Sequence, residues 1–111
     1  MIKIYVAGPY SQGDVAVNVR EAISAGDFLT HYGYDPIIPH LTHFWHLLFP
    51  HPIEFWYEYD LRRLRECDAL LRLPGASTGA DKEVDVAKGM GIPIYYHIFD
   101  VPRQAPITPD G

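Results

Sequence analysis

A chain of 111 residues and 12.6 kDa suits one domain and leaves no room for a second catalytic one. With 48% hydrophobic and 21% charged residues it can build a core, and a net charge of −5 with a pI near 5.5 argues against nucleic acid polymers, which attract basic patches. Cys67 is the sole cysteine and the chain opens on a strand-like run without a basic, then apolar leader. A disulfide framework and secretion therefore lack support, and the expected location is the cytoplasm. No apolar run approaches the ~20 residues of a membrane helix, so no membrane partner is expected.

In chain order, Ile2 to Ala7 is β-branched, aromatic and apolar on both faces, as a buried parallel strand should be, and it stops at Gly8-Pro9. Asp14 can cap a first helix whose apolar positions Val15, Val19, Ala22, Ile23 and Leu29 keep the three-and-four spacing up to Gly33. Asp35 to Pro39 is short and bounded by prolines, which predicts an edge strand. From His40 to Pro52 no period is visible, yet the stretch carries His40, His43, His46 and His51 beside Phe44, Trp45 and Phe49. It reads as a long binding loop, too aromatic for disorder. Ile53 to Cys67 is the second helix, with Ile53, Trp56, Tyr57, Leu61 and Leu64 on one stripe. Ala69 to Leu73 is the third strand, and Ser77 or Thr78 caps a third helix that Gly89 and Gly91 end. Ile92 to Phe99 reads as a fourth strand, and residues 101–111, with Pro102, Pro106 and Pro109, as a proline-rich tail after a domain of residues 1–100.

Strands alternating with helices predict a single-domain three-layer α/β sandwich around a flavodoxin- or Rossmann-like parallel sheet of four to five strands. The first and third strands should lie side by side, and ligands in such sheets bind outside the carboxyl ends of the strands at that crevice. Two segments must then line a site: Gly8 to Gly13 and Pro74 to Gly79. Their glycines and hydroxyls, at the starts of two helices, suit a small anion or merely permit tight turns. Neither G-x-G-x-x-G nor G-x-x-x-x-G-K-[ST] is present.

Three further groups stand out. Glu83, about one and a half turns into the third helix, can lean back toward the crevice as a nucleophile or base. The alternative is an exposed acid among Asp81, Lys82 and Asp85 that complements the helix dipole. Asp60 lies on or beside the apolar stripe of the second helix, so it is either functional or salt-bridged to Arg63 or Arg72. Tyr5 ends in a hydroxyl on a strand that should be buried and needs a partner, which a crevice carboxylate would supply. The histidines lack a metal-binding motif such as H-E-x-x-H, and a lid whose Phe44 or Trp45 stacks on a planar ligand is preferred to a metal site. No metal and no cofactor is expected. Cys67 is a poor nucleophile, because Asp68 beside it would raise the thiol pKa.

Ile4-Tyr5-Val6-Ala7-Gly8-Pro9, Tyr59-Asp60-Leu61, Cys67-Asp68-Ala69-Leu70-Leu71 and Ser77-x-Gly79-x-x-x-Glu83 together resemble the nucleoside 2-deoxyribosyltransferase family, over residues 2 to about 96. The resemblance extends to enzymes that hydrolyse the N-glycosidic bond of nucleoside 5′-monophosphates. It implies Glu83 as the carboxylate nucleophile, Tyr5 as the hydroxyl that orients it, and Asp60 as the group that contacts base or sugar and helps the base leave. Position 77 separates the branches: transferases on free nucleosides are similar to one another in carrying an aspartate there, the monophosphate hydrolases a serine. This chain has Ser77. Gly8, Pro9, Tyr10, Ser11, Ser77 and Gly79 would then hold sugar and phosphate, with His43, Phe44 and Trp45 over the base. The first loop has no Lys or Arg, so phosphate would rely on backbone amides, Ser11, Ser77 and a neighbouring subunit. The reading is thus a homodimer or higher homo-oligomer that takes a small nucleotide or nucleoside and releases its base. The alternatives are base exchange between nucleosides and a nucleotide-binding module without catalysis.

Overall fold

The computed structural model describes residues 1–104. Four strands, β1 (Lys3–Ala7), β2 (Asp35–Ile37), β3 (Ala69–Arg72) and β4 (Ile94–Tyr95), form one parallel sheet in the order β2-β1-β3-β4. The register sets Ile4 opposite Ala69 and Tyr5 opposite Leu70, so β1 and β3 adjoin as expected. Helices α1 (Val15–His31), α2 (His43–Leu48), α3 (Ile53–Leu64) and α4 (Thr78–Met90) complete the domain.

The three layers follow from the two-residue period of β1. Ile4 and Val6 face α1 and pack on Ala22, Ala25 and Leu29, while Tyr5 and Ala7 face α3 and α4 and pack on Leu61, Leu64 and Val84. All four β1 residues are fully buried, which a strand with helices on both sides requires. On the α1 face that packs, a Cβ on Gly26 would run into Ile38 Cδ1 and Cγ1, so the bare glycine leaves the room that the Ile38 side chain fills. Ile23, expected on that face, is half-exposed instead. Capping agrees with the sequence at two helices: Asp14 accepts from the Val17 N–H and Ser77 from the Ala80 N–H. Gly91 closes α4 at φ 72°, a left-handed position that favours glycine.

Three expectations are corrected. Residues 40–52 are not one long loop: a 3₁₀ turn (Pro39–Thr42) runs into α2. No residue of α2 is buried and no side chain caps it, so neither a period nor a cap marked it in the sequence. The second helix ends at Leu64, not Cys67, and Ile53 on its expected core stripe is 77% exposed. The fourth strand shrinks from Ile92–Phe99 to Ile94–Tyr95, because His97 Nδ1 accepts the Phe99 N–H and turns the chain into a 3₁₀ turn (Ile98–Asp100). From there Val101 is buried against α1, Tyr34 donates to the Pro102 carbonyl at 2.6 Å, and the Gln104 N–H reaches the Tyr32 carbonyl at 2.8 Å. The rest of the proline-rich tail, with Pro106 and Pro109, lies outside the described residues. Among the described residues no helix is long and apolar enough to cross a membrane.

Candidate active site

At the carboxyl ends of β1 and β3 a cavity of about 760 Å³ opens. Its floor is Asp60, Ala80 and Glu83; one side is Gly8, Tyr10, Ser11 and Gln12 with Ser77 to Gly79; the other is His40, His46, His51, Ile53, Trp56 and Tyr57.

Glu83 is 8% exposed, which excludes the reading of a solvated helix acid. β1 alternation drives the Tyr5 ring under α4, where its hydroxyl donates to Glu83 Oε2. Burial raises the Glu83 carboxyl to about 8; the Tyr5 hydrogen bond pulls it down, the Asp60 charge pushes it up, and Arg72 pulls it down. Tyr5 itself is held well above the ordinary phenol range, first by burial and then by the Glu83 charge. Asp60 comes in from α3 with Oδ1 enclosed and without a hydrogen-bond partner. Burial raises it to about 7 against the pull of Arg63. Neither expected salt bridge forms: Arg72 pairs with Asp81 at 2.9 Å and also donates to the Leu73 carbonyl, and Arg63 lies 4.6 Å over the Tyr59 ring. Two buried carboxyls raised toward neutrality, one of them accepting from a buried phenol, are groups able to exchange protons with a ligand near pH 7.

The β1 loop is braced on both sides. His40, 6% exposed, donates through Nε2 to the Pro9 carbonyl at 2.8 Å, and burial lowers its pKa. Asn18 donates to the carbonyls of Tyr10 and Gln12, and Gln12 Oε1 accepts the Thr78 N–H at 3.0 Å. At the start of α4, Thr78 and Ala80 therefore have their N–H groups engaged, and Ser77 keeps its own hydroxyl proton for a ligand. Lys82, 5.5 Å over the Tyr57 ring, brings the cation that the β1 loop lacks.

Of the expected ligand-contacting residues, Gly8, Tyr10, Ser11, Ser77 and Gly79 line the cavity. Pro9, His43, Phe44 and Trp45 do not. His43 is hydrogen-bonded to the hydroxyl of Tyr10, which does line the cavity, at 2.5 Å. Phe44 is 69% exposed, and Trp45 packs edge-on against Trp56 with ring centroids 4.8 Å apart, so the stacking lid does not form from these two. His46 and His51, which the sequence places in a binding segment without a role, also line the cavity, as do Trp56 and Lys82, which the sequence does not single out as ligand contacts. The spacing of Trp56 and Asp60 by four residues puts both on one face of α3 and is the signal that could have found the indole. Cys67 is remote and pushed up to about 12 by burial and by Asp68, as an unreactive thiol should be. Among the described residues no group of three His, Cys, Asp or Glu side chains could hold a metal ion.

No curated protein is found to match the chain. Among solved structures, the 2-deoxyribosyltransferase of the psychrotolerant bacterium Bacillus psychrosaccharolyticus is similar to it at a TM-score of 0.63 and 20% identity, over 83% of this chain and 69% of that one. That likeness establishes a common fold. A family model described as a domain of unknown function, DUF7768, matches residues 2–97, nearly the whole chain, which therefore belongs to that family.

Proposed function

We propose that the chain cleaves the N-glycosidic bond of a nucleoside 5′-monophosphate through Glu83. The observation that carries the reading is the buried Tyr5–Glu83–Asp60 group at the floor of an open cavity. An oxocarbenium-like transition state wants an ionised carboxylate under the sugar and a proton donor near the leaving group. Glu83, ionised and held by the Tyr5 hydroxyl, attacks the anomeric carbon; the C–N bond breaks and its electron pair leaves with the base, which takes the proton of Asp60. Water then adds to the anomeric carbon of the glycosyl ester, gives a proton to Asp60 and releases Glu83 and the sugar phosphate. Ser77, the Gly79 N–H at the start of α4, and Lys82 are the groups that would receive the 5′-phosphate.

A second reading is base exchange between unphosphorylated nucleosides, with another base in place of water. It is favoured by Glu54 and Glu58, which line the cavity with Lys82 and would repel phosphate. The neighbour of like fold is itself described as a 2-deoxyribosyltransferase. Incubation with nucleosides and their 5′-monophosphates, with and without a second free base, decides between the two when chromatography follows free base and new nucleoside. Faster base release from monophosphates supports the first reading; a requirement for acceptor base supports the second; no release from any compound leaves a binding module. We also read the active unit as a homo-oligomer, since Leu41, Phe44, Leu47, Leu48, Phe49 and Ile53, all within the segment that supplies His46 and His51 to the cavity, are exposed. Light scattering that gives a 12.6 kDa particle of full activity would refute it.

A further inference from the structure

The outer wall of the cavity holds a histidine whose two nitrogens have different duties. His46 Nδ1 receives two donors, the Trp56 indole N–H at 2.7 Å and the His51 backbone N–H at 3.3 Å. A nitrogen that accepts cannot carry hydrogen, so the neutral ring bears its proton on Nε2. Among the described residues nothing in the chain hydrogen-bonds Nε2, and it is not one of the enclosed, unpartnered atoms, which are His40 Nδ1 and Asp60 Oδ1. His46 lines the cavity, so Nε2–H is a donor still free for a ligand.

The indole that fixes the tautomer is itself held by the rings packed around it. Trp45 and Phe55 meet the Trp56 ring edge-on at 4.8 and 4.9 Å, at 89° and 85° between planes. His51 stacks on Phe55 at 3.9 Å and 15°, which also places its backbone N–H against His46. Turning the indole away would break several aromatic contacts together. His40 is the contrast: its Nε2–H is spent on the Pro9 carbonyl and its Nδ1 is enclosed by protein.

We propose that His46 is a specificity-determining residue for the leaving base, and that Nε2–H donates to an acceptor atom on the heterocycle, a ring nitrogen or a carbonyl oxygen, while Trp56 and Ile53 line the apolar side. This rests on the reading of the cavity as a glycosyl-cleaving site. A donor fixed by two hydrogen bonds on its other nitrogen cannot turn into an acceptor, so a base with C–H in place of the acceptor leaves it unpaired.

The test is equilibrium titration on Glu83→Gln protein, which binds without turnover, with nucleosides and nucleoside 5′-monophosphates, each paired with isosteres in which one acceptor of the base is replaced by C–H. On protein with His46 intact, one isostere is expected to bind about tenfold more weakly than its parent. His46→Leu should abolish that difference by weakening the parent alone. His46→Gln, which keeps an N–H at similar reach, should restore most of it, and Trp56→Phe should reduce it to about threefold by freeing the tautomer. An isostere difference that is absent with His46 intact, or unchanged in both His46 variants, overturns the inference and leaves the cavity reading standing. If no nucleoside or nucleotide binds, the cavity reading falls and the inference with it.

Discussion

The two walls of the cavity are built by different rules. The inner wall, Asp60 and Glu83 with Tyr5 buried behind them, stands on elements that also form the core: Tyr5 shares β1 with Ile4 and Val6, and Glu83 shares α4 with Ala80, Val84 and Ala87. The outer wall, residues 39–57, is a 3₁₀ turn, a six-residue helix and the exposed start of α3, held by aromatic edges instead of a buried stripe. The inner wall thus has its geometry fixed by the same contacts that stabilise the fold, whereas the outer wall can change with modest effect on either. Chemistry is assigned to the first and selectivity to the second.

The largest expected effect is at the nucleophile. Glu83→Gln should lower base release by about 10³-fold or more with circular dichroism unchanged, since even general acid–base help is worth ~10²–10⁴. Activity within about tenfold of wild type would break the assignment. The same variant has a stability signature. The Glu83 carboxyl is raised from about 4.5 to about 8, so the folded state binds the proton more tightly, and that contribution is full at acid pH and is lost as pH climbs between those values. The melting temperature of wild type should therefore fall more from pH 5 to pH 8 than that of Glu83→Gln, which lacks the titration.

Asp60→Asn should cost about 10²-fold in kcat/KM. Wild type needs Asp60 protonated and Glu83 ionised, so its kcat/KM profile should be bell-shaped with a maximum between about pH 7 and 8. In the variant the asparagine cannot lose a proton, so the alkaline limb should vanish. A bell of unchanged shape would mean that Asp60 does not act as the acid.

Tyr5→Phe removes a hydrogen bond to a charged group and should cost about 10–100-fold. Because that bond holds the Glu83 carboxyl down, its loss should shift the optimum toward alkaline pH. A loss of rate without a shift would make Tyr5 a packing residue only.

The smallest effect is expected on the outer wall away from the cavity. Phe44 is 69% exposed and outside the lining but belongs to the apolar side chains assigned to the subunit contact, so Phe44→Ala should change kcat/KM by less than about twofold at enzyme concentrations that keep the oligomer together, and should lower activity only on dilution. A large rise in KM at high enzyme concentration would show instead that this surface closes over substrate.

How much could be read from the sequence follows the same division. Tyr5 and Asp60 were legible because each is a polar group on an apolar strand or helix face, an anomaly that calls for a partner, whereas Glu83 was legible only by its place about one and a half turns into the helix above the crevice and by the spacing Ser77-x-Gly79-x-x-x-Glu83. The alternating β1 residues, the Asp14 and Ser77 caps and the Gly91 stop placed the helices on each side of the sheet. α2 was illegible because a six-residue helix with Phe44, Leu47 and Leu48 exposed has no face to bury and so no period. The end of β4 was hidden for another reason: Ile92 to Phe99 has strand composition, and a single side chain to main chain bond at His97 diverts it. The role of His46 depends on which nitrogen the Trp56 indole reaches, a fact of packing that residue spacing does not carry.

The central claim is that Glu83 bonds to the sugar. The most direct measurement is to quench a reaction with nucleoside 5′-monophosphate during turnover, digest the protein and map the mass of its peptides. A peptide containing Glu83 heavier by one sugar phosphate, absent from Glu83→Gln, is expected together with free base in solution. Base release with the adduct on another residue, or undiminished release by Glu83→Gln, would contradict it.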